Sequence, residues 1–300
     1  MLFAHTIQSW EDWANVYQSI PAFTPLIQEI FRREDLPFSP LSPLTPGTNA
    51  VFRSGELVVK VFFPKESGLD PEGDFQNEGA VCRVLTQRQV PVPRLLAAGR
   101  LRDRYTFPYL VTQFCPGEEL GQWLPKAAQR EKLSLSRQLF WLLEQVHQEV
   151  PGLLAPLDLR RRALENFRLE HVPASLAREL TQRAEGADLS RLALVHGDLT
   201  GENVLVSSQG APVLLDWADA CLAPPWYELP PLVFGPLGED PALLAPWMDQ
   251  GLEPFLEQVL DGLALHDFGP DILREAAQAA GRPPFTTLEE VRNYLENKLR

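Results

Sequence analysis

The stretch Leu194-Val-His-Gly-Asp-Leu-Thr-Gly-Glu-Asn-Val-Leu-Val206 is the most informative segment of the chain. It sets the carboxylate of Asp198 and the carboxamide of Asn203 on a polar loop between two short apolar runs. A further apolar run, which begins at Pro212, ends in a second carboxylate, Asp216. In phosphoryl transfer one carboxylate accepts a proton from a hydroxyl, while an amide and another carboxylate bind the magnesium of ATP. The spacing is therefore typical of a phosphoryl-transfer site.

Composition and charge narrow the class of protein. The 300 residues are 45% hydrophobic and 22% charged, which is ordinary for a soluble globular protein. The sequence shows neither a basic leader nor a run of ~20 apolar residues, so we expect no signal peptide and no membrane span. The net charge of −13 disfavours a nucleic-acid partner and is compatible with a cationic or neutral small molecule. The oligomeric state is left open.

The three cysteines indicate a reducing compartment. Cys82, Cys115 and Cys221 are odd in number, widely spaced and without a C-x-x-C pair. This pattern is typical of reduced thiols and predicts neither a disulfide framework nor a zinc site. We therefore expect a cytoplasmic location.

Periodicity predicts an α+β, bilobal chain. We expect an N-terminal helical extension (1–41), a β-rich nucleotide-binding lobe (42–114), a hinge (115–117) and a helical catalytic and substrate-binding lobe (118–300). In the first lobe the predicted elements are strands at 50–53, 57–63, 101–107 and 109–114 and a helix at 75–85, after a proline-rich connector (37–46). In the second lobe helices are predicted at 119–149, 157–168, 173–186, 251–266, 270–280 and 286–299. A cleft between two lobes is a natural ligand site.

Lys60 is the candidate phosphate contact of the first lobe. It interrupts the apolar strand Leu57-Val-Val-Lys-Val-Phe-Phe63, where an unpaired buried ammonium would be costly, so it should face an anion. Glu78, on the following helix, is the candidate partner that orients the lysine toward nucleotide phosphates. The alternative is an edge-strand charge with Glu78 in solvent.

Two loops are weaker candidates for nucleotide contacts. Gly47 permits a tight turn, and Thr48 and Asn49 could cover phosphate oxygens, although the same residues form ordinary turns. The chain contains neither a Walker A sequence nor a G-x-G-x-x-G motif. Before the hinge, backbone groups near Gln113 and Cys115 are placed to bind the adenine edge.

Taken together, Lys60, Glu78, His196-Gly-Asp-Leu-Thr-Gly-Glu-Asn203 and Leu215-Asp-Trp217 resemble the aminoglycoside phosphotransferase family of the protein-kinase-like fold, which includes choline kinases. The resemblance implies that Asp198 is the catalytic base and that Asn203 and Asp216 bind Mg²⁺. It also implies that Lys60 contacts the phosphates of ATP, with GTP as the other donor to consider. His-Gly-Asp in place of His-Arg-Asp, and the absence of an Ala-Pro-Glu segment, disfavour a protein kinase.

The sequence pattern is less specific for the residues that bind the acceptor. Members of this family bind polycations through acidic residues, and we single out Asp219 and Glu228 as substrate contacts. Glu228 stands where relatives carry an aspartate, and prolines flank it on both sides. Further acidic candidates are Glu239, Asp240, Asp249, Glu253 and Glu257.

The sequence thus predicts an ATP- and Mg²⁺-dependent kinase of a small-molecule hydroxyl, with an amino sugar or aminoglycoside as the candidate acceptor. The competing hypothesis is a catalytically inactive nucleotide-binding scaffold.

Overall fold

A computed structural model describes residues 1–45, 47–150 and 152–300. Pro46, with which the predicted proline-rich connector ends, lies outside the described residues. The chain forms two compact units, Met1–Pro116 with Val213–Ala218 and Gly117–Pro212 with Asp219–Arg300. The segment Val213–Ala218, which carries Asp216, thus belongs to the first unit although the sequence-based division put it in the second lobe. Within the described ranges no helix has the length and apolar character needed to cross a membrane.

The first unit is built on an antiparallel five-stranded sheet in the order β1-β2-β3-β5-β4. Its strands are β1 (Leu41–Pro43), β2 (Ala50–Ser54), β3 (Leu57–Val61), β4 (Leu95–Arg102) and β5 (Thr106–Gln113). Its helices are α1 (Trp10–Ala14), α2 (Ile20–Arg33) and α3 (Glu72–Gln87). Because β3 lies between β2 and β5, Lys60 is on a central strand and not on an edge.

The N-terminal helices share the core of this sheet. Ser19 caps α2 by accepting a hydrogen bond from the backbone N–H of Ala22, and Pro21 fits the first turn. Helical spacing then puts one apolar stripe on α2, and the stripe packs with Val59 and Val61 of β3 in a single buried cluster. The stripe consists of Phe23, Leu26, Ile27, Ile30 and Phe31.

Two features of the first unit differ from the sequence-based prediction. The connector contains β1, whose proline is tolerated because β1 is an edge strand. The strand predicted at 101–107 straddles the turn between β4 and β5, with Leu101 opposite Phe107, whereas the strand predicted at 109–114 falls almost entirely within β5. The chain turns at Asp103, whose N–H donates to the Tyr105 carbonyl (2.9 Å) and whose carboxylate accepts the N–H groups of Leu2 and Phe3. That long-range anchor cannot be seen in local periodicity.

The second unit is mainly helical and is centred on α10, which packs against α7, α8, α11 and α12. Its helices are α4 (Leu120–Trp123), α5 (Gln129–Val146), α6 (Leu159–Leu164), α7 (Ala174–Gly186), α8 (Leu229–Phe234), α9 (Pro241–Leu244), α10 (Leu252–Leu265), α11 (Gly269–Ala279) and α12 (Leu288–Leu299). The helix predicted over 119–149 is divided into α4 and α5, because Pro125 cannot continue a helix.

Short strands frame the loop that carries Asp198. They are β6 (Glu118–Glu119), β7 (Ala193–Val195), β8 (Val204–Val206), β9 (Pro212–Leu214) and β10 (Cys221–Ala223). β7 pairs with β10 and β8 pairs with β6, so the loop 196–203 is held at both ends. Gly197 has a φ of +85°, and a Cβ atom there would lie 2.1 Å from the backbone oxygen of Asp219. Glycine at this position is therefore a steric requirement of the loop.

Gly197→Ala should destabilise the fold more than Gly210→Ala, and the difference should appear in urea unfolding. Gly210 has a similar φ of +75° but no atom within 4 Å of an added Cβ. Gly210→Ala therefore reports the backbone strain alone, about 1–2 kcal/mol. Gly197→Ala adds the clash with Asp219. Equal free energies of unfolding for the two variants would contradict the steric requirement.

Candidate active site

The ammonium of Lys60 is held between two carboxylates. Its Nζ donates to Glu78 Oε2 and to Asp216 Oδ1, each at 2.7 Å. Lys60 and Glu78 are both buried, whereas the side chain of Asp216 is 43% exposed. The side chain of Lys60 lies on the same face of the sheet as Leu110, its cross-strand partner in β5. Glu78 of α3 contacts Lys60 on that face. The predicted partnership of Lys60 with Glu78 is present, and Asp216 joins it.

Electrostatics keep Lys60 charged. Burial by itself would lower the pKa of Lys60, but the charges of Asp216 and Glu78 outweigh it and raise that pKa above its ordinary value. For Glu78, burial and the nearby Asp216 raise the pKa to about 7 against the opposing effect of Lys60. The result is a fixed positive charge beside a partly exposed carboxylate. This combination suits a phosphate group and its metal ion.

Asp216 itself has an unusual backbone conformation, with a φ of +53°. Aspartate tolerates the left-handed region better than most residues, and such conformations concentrate at functional sites. The backbone N–H of Ala218 lies 3.5 Å from Asp216 Oδ1, and Asn77 Nδ2 lies 3.5 Å from the carbonyl of Ala218. The end of the Val213–Ala218 segment is thus tied to α3.

In the second unit, Asn203 positions Asp198. Its Nδ2 donates to the backbone oxygen of Asp198 (2.8 Å) and to Oδ2 of the same residue (2.9 Å). The amide nitrogen is the donor in both hydrogen bonds, so neither bond involves the amide oxygen of Asn203. A carboxamide oxygen, and separately the carboxylate of Asp216 in the first unit, are hard donors of the kind that Mg²⁺ prefers. Each residue is therefore of a chemical type that suits Mg²⁺.

Buried polar side chains also support the loop 196–203. The backbone N–H of His196 donates to Oε1 of Glu228, and His147 Nε2 lies 3.6 Å from that oxygen. Burial alone would raise the pKa of Glu228, but its contacts with His147 and His196 bring that pKa below its ordinary value. Glu228 is 1% exposed and accepts the N–H of His196, so it supports the loop; its contact with the acceptor stays a prediction.

His266 is a further buried neighbour of the loop. Its Nδ1 accepts the backbone N–H of Phe268 (3.1 Å), which leaves the ring proton on Nε2. Nε2 makes no regular hydrogen bond with the described residues, and the Gly197 carbonyl is the backbone group that interacts with the ring. Burial lowers the pKa of His266 to about 4, so the ring is neutral near pH 7. Neither His147 nor His266 carries a sequence signal that would have singled it out.

The predicted phosphate-covering loop is anchored by the N-terminal extension. Gly47 and Thr48 are exposed, whereas Asn49 is buried. The indole N–H of Trp13 donates to the backbone oxygen of Thr48 at 2.9 Å. Trp13 lies in the predicted N-terminal helical extension, but no local pattern connects it with this loop, because Trp13 and Thr48 lie 35 residues apart.

The residues predicted to contact adenine lie at the end of β5 and just after it. The backbone N–H of Gln113 donates to the carbonyl of Arg94 (2.9 Å), and that of Phe114 to the carbonyl of Glu56 (2.9 Å). Cys115 is partly buried, and burial raises the pKa of its thiol. Adenine contacts at Gln113 and Cys115 stay a prediction.

Among the acidic candidates for the acceptor, Asp219 has an exposed side chain. Several of the others are engaged elsewhere in the second unit. Glu253 and Glu257 pair with Arg292, Asp240 caps α9, and Glu239 accepts the hydroxyl of Tyr294 (3.2 Å).

Lys60→Met should destabilise the protein by up to about 3 kcal/mol at pH 8, because it leaves the buried carboxylate of Glu78 without its cation. The loss should be smaller at pH 6, where Glu78 can take up a proton and so remove the uncompensated charge. Urea unfolding at the two pH values measures both effects.

The matched control is Lys65→Met, which removes an exposed lysine five residues away. It should leave the free energy of unfolding unchanged at both pH values. A Lys60→Met variant that behaves like this control, or whose loss is the same at pH 6 and pH 8, would contradict the buried ion cluster.

Comparison with known proteins places the chain in a family. The family model described as the phosphotransferase enzyme family matches residues 43–276. Aminoglycoside 2'-phosphotransferase-IIIa, solved with GDP, is 19% identical with a TM-score of 0.64, over 94% of this chain and 99% of that one. The streptomycin–ATP–APH(2")-IIa ternary complex is 17% identical with a TM-score of 0.60, over 85% and 94%. Choline kinase LicA from Streptococcus pneumoniae is 14% identical with a TM-score of 0.57, over 92% and 98%.

At these identities the solved structures establish the fold, which is the predicted bilobal, protein-kinase-like α+β class. The family model covers more than three quarters of the chain and includes Lys60, Glu78, Asp198, Asn203 and Asp216. The protein therefore belongs to the phosphotransferase enzyme family and is a small-molecule kinase that acts on hydroxyl groups.

Proposed function

We propose that the protein transfers the γ-phosphoryl group of ATP, in the presence of Mg²⁺, to a hydroxyl of a small cationic molecule, with Asp198 as the base. The observation that carries this proposal is the ammonium of Lys60 held at 2.7 Å from both Glu78 and Asp216. A cation that is buried and fixed in this way is suited to bind a polyphosphate, and Asp216 beside it is suited to bind the metal ion that accompanies one.

On the donor side, Lys60 would contact phosphate oxygens while Glu78 keeps its ammonium in place. Asn203 and Asp216 would bind Mg²⁺, which neutralises charge on the phosphates when it is bound. ATP is the proposed donor, and GTP is the alternative that a direct assay distinguishes.

On the acceptor side, Asp198 takes the proton of the reacting hydroxyl. The hydroxyl oxygen forms a bond to the γ-phosphorus as the bond from that phosphorus to the bridging oxygen breaks, and the nucleoside diphosphate leaves. Asn203 holds the Asp198 carboxylate at 2.9 Å, so that one rotamer is favoured before substrate arrives. No covalent intermediate with the protein is required.

The acceptor is proposed to be cationic for three reasons. The net charge of −13 favours the approach of cations, and the carboxylate of Asp219 is exposed close to the loop that carries Asp198. Solved relatives of the same fold carry the names of aminoglycoside phosphotransferases and a choline kinase, and one was solved with kanamycin. Aminoglycosides and choline are both hydroxylated cations.

A panel of hydroxylated amines, including aminoglycosides and choline, tests the proposal in a coupled assay of diphosphate release with ATP or GTP. We expect release that depends on Mg²⁺ and on one class of acceptor, with the phosphorylated product confirmed by mass spectrometry. Nucleotide binding without turnover on any acceptor would favour the inactive scaffold instead.

Asp198→Asn should lower kcat by about 10²–10⁴-fold, because it removes the base but keeps an oxygen that Asn203 can reach. The dissociation constant for the nucleotide should stay close to that of the wild type. Glu202→Gln is the matched control, since it removes an exposed carboxylate from the same loop and should retain full activity. If Asp198→Asn turns over as fast as this control, the proposed role of Asp198 as the base is contradicted.

A further inference from the structure

The loop Gly47–Asn49 directly precedes β2, the strand that pairs with β3 beside Lys60. Directly after it, Ala50 begins β2, and the next residue, Val51, pairs with Lys60 in the sheet. The loop therefore ends two residues before Val51, the residue that lies opposite Lys60 in the sheet. A phosphate bound by Lys60 would lie within the reach of a loop so connected.

Two side chains hold Thr48 by hydrogen bonds. The indole N–H of Trp13 donates to its backbone oxygen at 2.9 Å, and Asn49 Nδ2 donates to its hydroxyl oxygen at 3.3 Å. A hydroxyl that accepts one hydrogen bond still has its own proton to donate. Thr48 is exposed, so this proton can be donated to a ligand in solvent.

Trp13 is itself rigidly placed. It is fully buried, and its ring packs edge-on against Phe23 of α2 at 5.7 Å between centroids. Ser9 caps the short helix α1 that carries it, by accepting the backbone N–H of Asp12 at 3.2 Å. Because the indole belongs to the core of the sheet, its N–H is a fixed point from which the loop is held.

Asn49 leaves one hydrogen-bond acceptor of the loop without a partner among the described residues. Its side chain is 3% exposed, and its amide oxygen makes no hydrogen bond with the described residues. Buried polar atoms of this kind are uncommon in folded proteins and often mark a place that a ligand or water completes. The orphaned atom lies next to the residue that Trp13 anchors.

We propose that Trp13 is a positioning residue for nucleotide binding: its indole N–H preforms the loop Gly47–Asn49, so that Thr48 donates to the phosphates of the donor. The inference rests on the proposed function and assigns a role to the N-terminal extension, which anchors the loop without touching the ligand. Preformed loops bind more tightly because less ordering is needed on binding.

Trp13→Phe is the direct test, because phenylalanine keeps an aromatic ring in the core but has no N–H. We expect the dissociation constant for MgADP, measured by calorimetry below the unfolding temperature, to rise about 3- to 10-fold, which corresponds to the loss of one hydrogen bond. The kcat at saturating nucleotide should change by less than about twofold, since an anchor of ground-state binding does not act on the chemical step.

Trp10→Phe is the matched control in the same helix. Trp10 is 38% exposed and packs edge-on against Phe63, and its substitution should leave the dissociation constant unchanged. A second pair probes the hydroxyl: Thr48→Ala should weaken MgADP binding, and Thr48→Ser should restore it.

A Trp13→Phe variant that melts earlier but binds MgADP as tightly as Trp10→Phe would overturn the inference and leave Trp13 a residue of the core alone. If Thr48→Ala binds like the wild type, the hydroxyl is not a phosphate donor and the inference fails at that step. Absence of nucleotide binding by the wild-type protein would instead refute the proposed function, and this inference with it.

Discussion

The structure depends on one electrostatic constraint, the burial of the Lys60 ammonium. An ammonium taken out of water costs several kcal/mol unless anions replace its hydration. The first unit supplies Glu78 from α3 and Asp216 from a segment 156 residues further along the chain. The need to neutralise this cation explains why Val213–Ala218 packs with the N-terminal unit. It also sets a positive charge beside a partly exposed carboxylate, which is the combination that a metal–nucleotide complex requires.

The second unit fixes the orientation of Asp198, the proposed base. Asp198 has to keep one orientation on a loop, where backbone is usually mobile. Asn203 holds its side chain, Glu228 accepts the N–H of His196, and the close approach of Asp219 requires glycine at position 197. The His-Gly-Asp sequence therefore has a local physical cause. Glu228 serves this support and is buried, whereas Asp219 is exposed.

Much of this arrangement could be predicted from the sequence, since local patterns reveal local structure. An unpaired lysine in an apolar strand predicts a buried partner, and Glu78 on the next helix is that partner. The strand predicted at 101–107 was wrong, because the chain turns at Asp103 and this turn is fixed by Leu2 and Phe3, a contact that periodicity cannot show. Trp13 and His266 were missed for the same reason, since a buried tryptophan or histidine looks like any core residue until its hydrogen-bond partner is known.

The most direct test of the account is calorimetric titration of ADP with and without Mg²⁺ into the wild type and Asp216→Asn. If Lys60 and Asp216 form a nucleotide site, Mg²⁺ should tighten ADP binding to the wild type. In Asp216→Asn that gain should disappear while metal-free binding persists, and Asp219→Asn should keep the gain. An unchanged effect of Mg²⁺ in Asp216→Asn, or the absence of ADP binding to the wild type, would contradict the central claim.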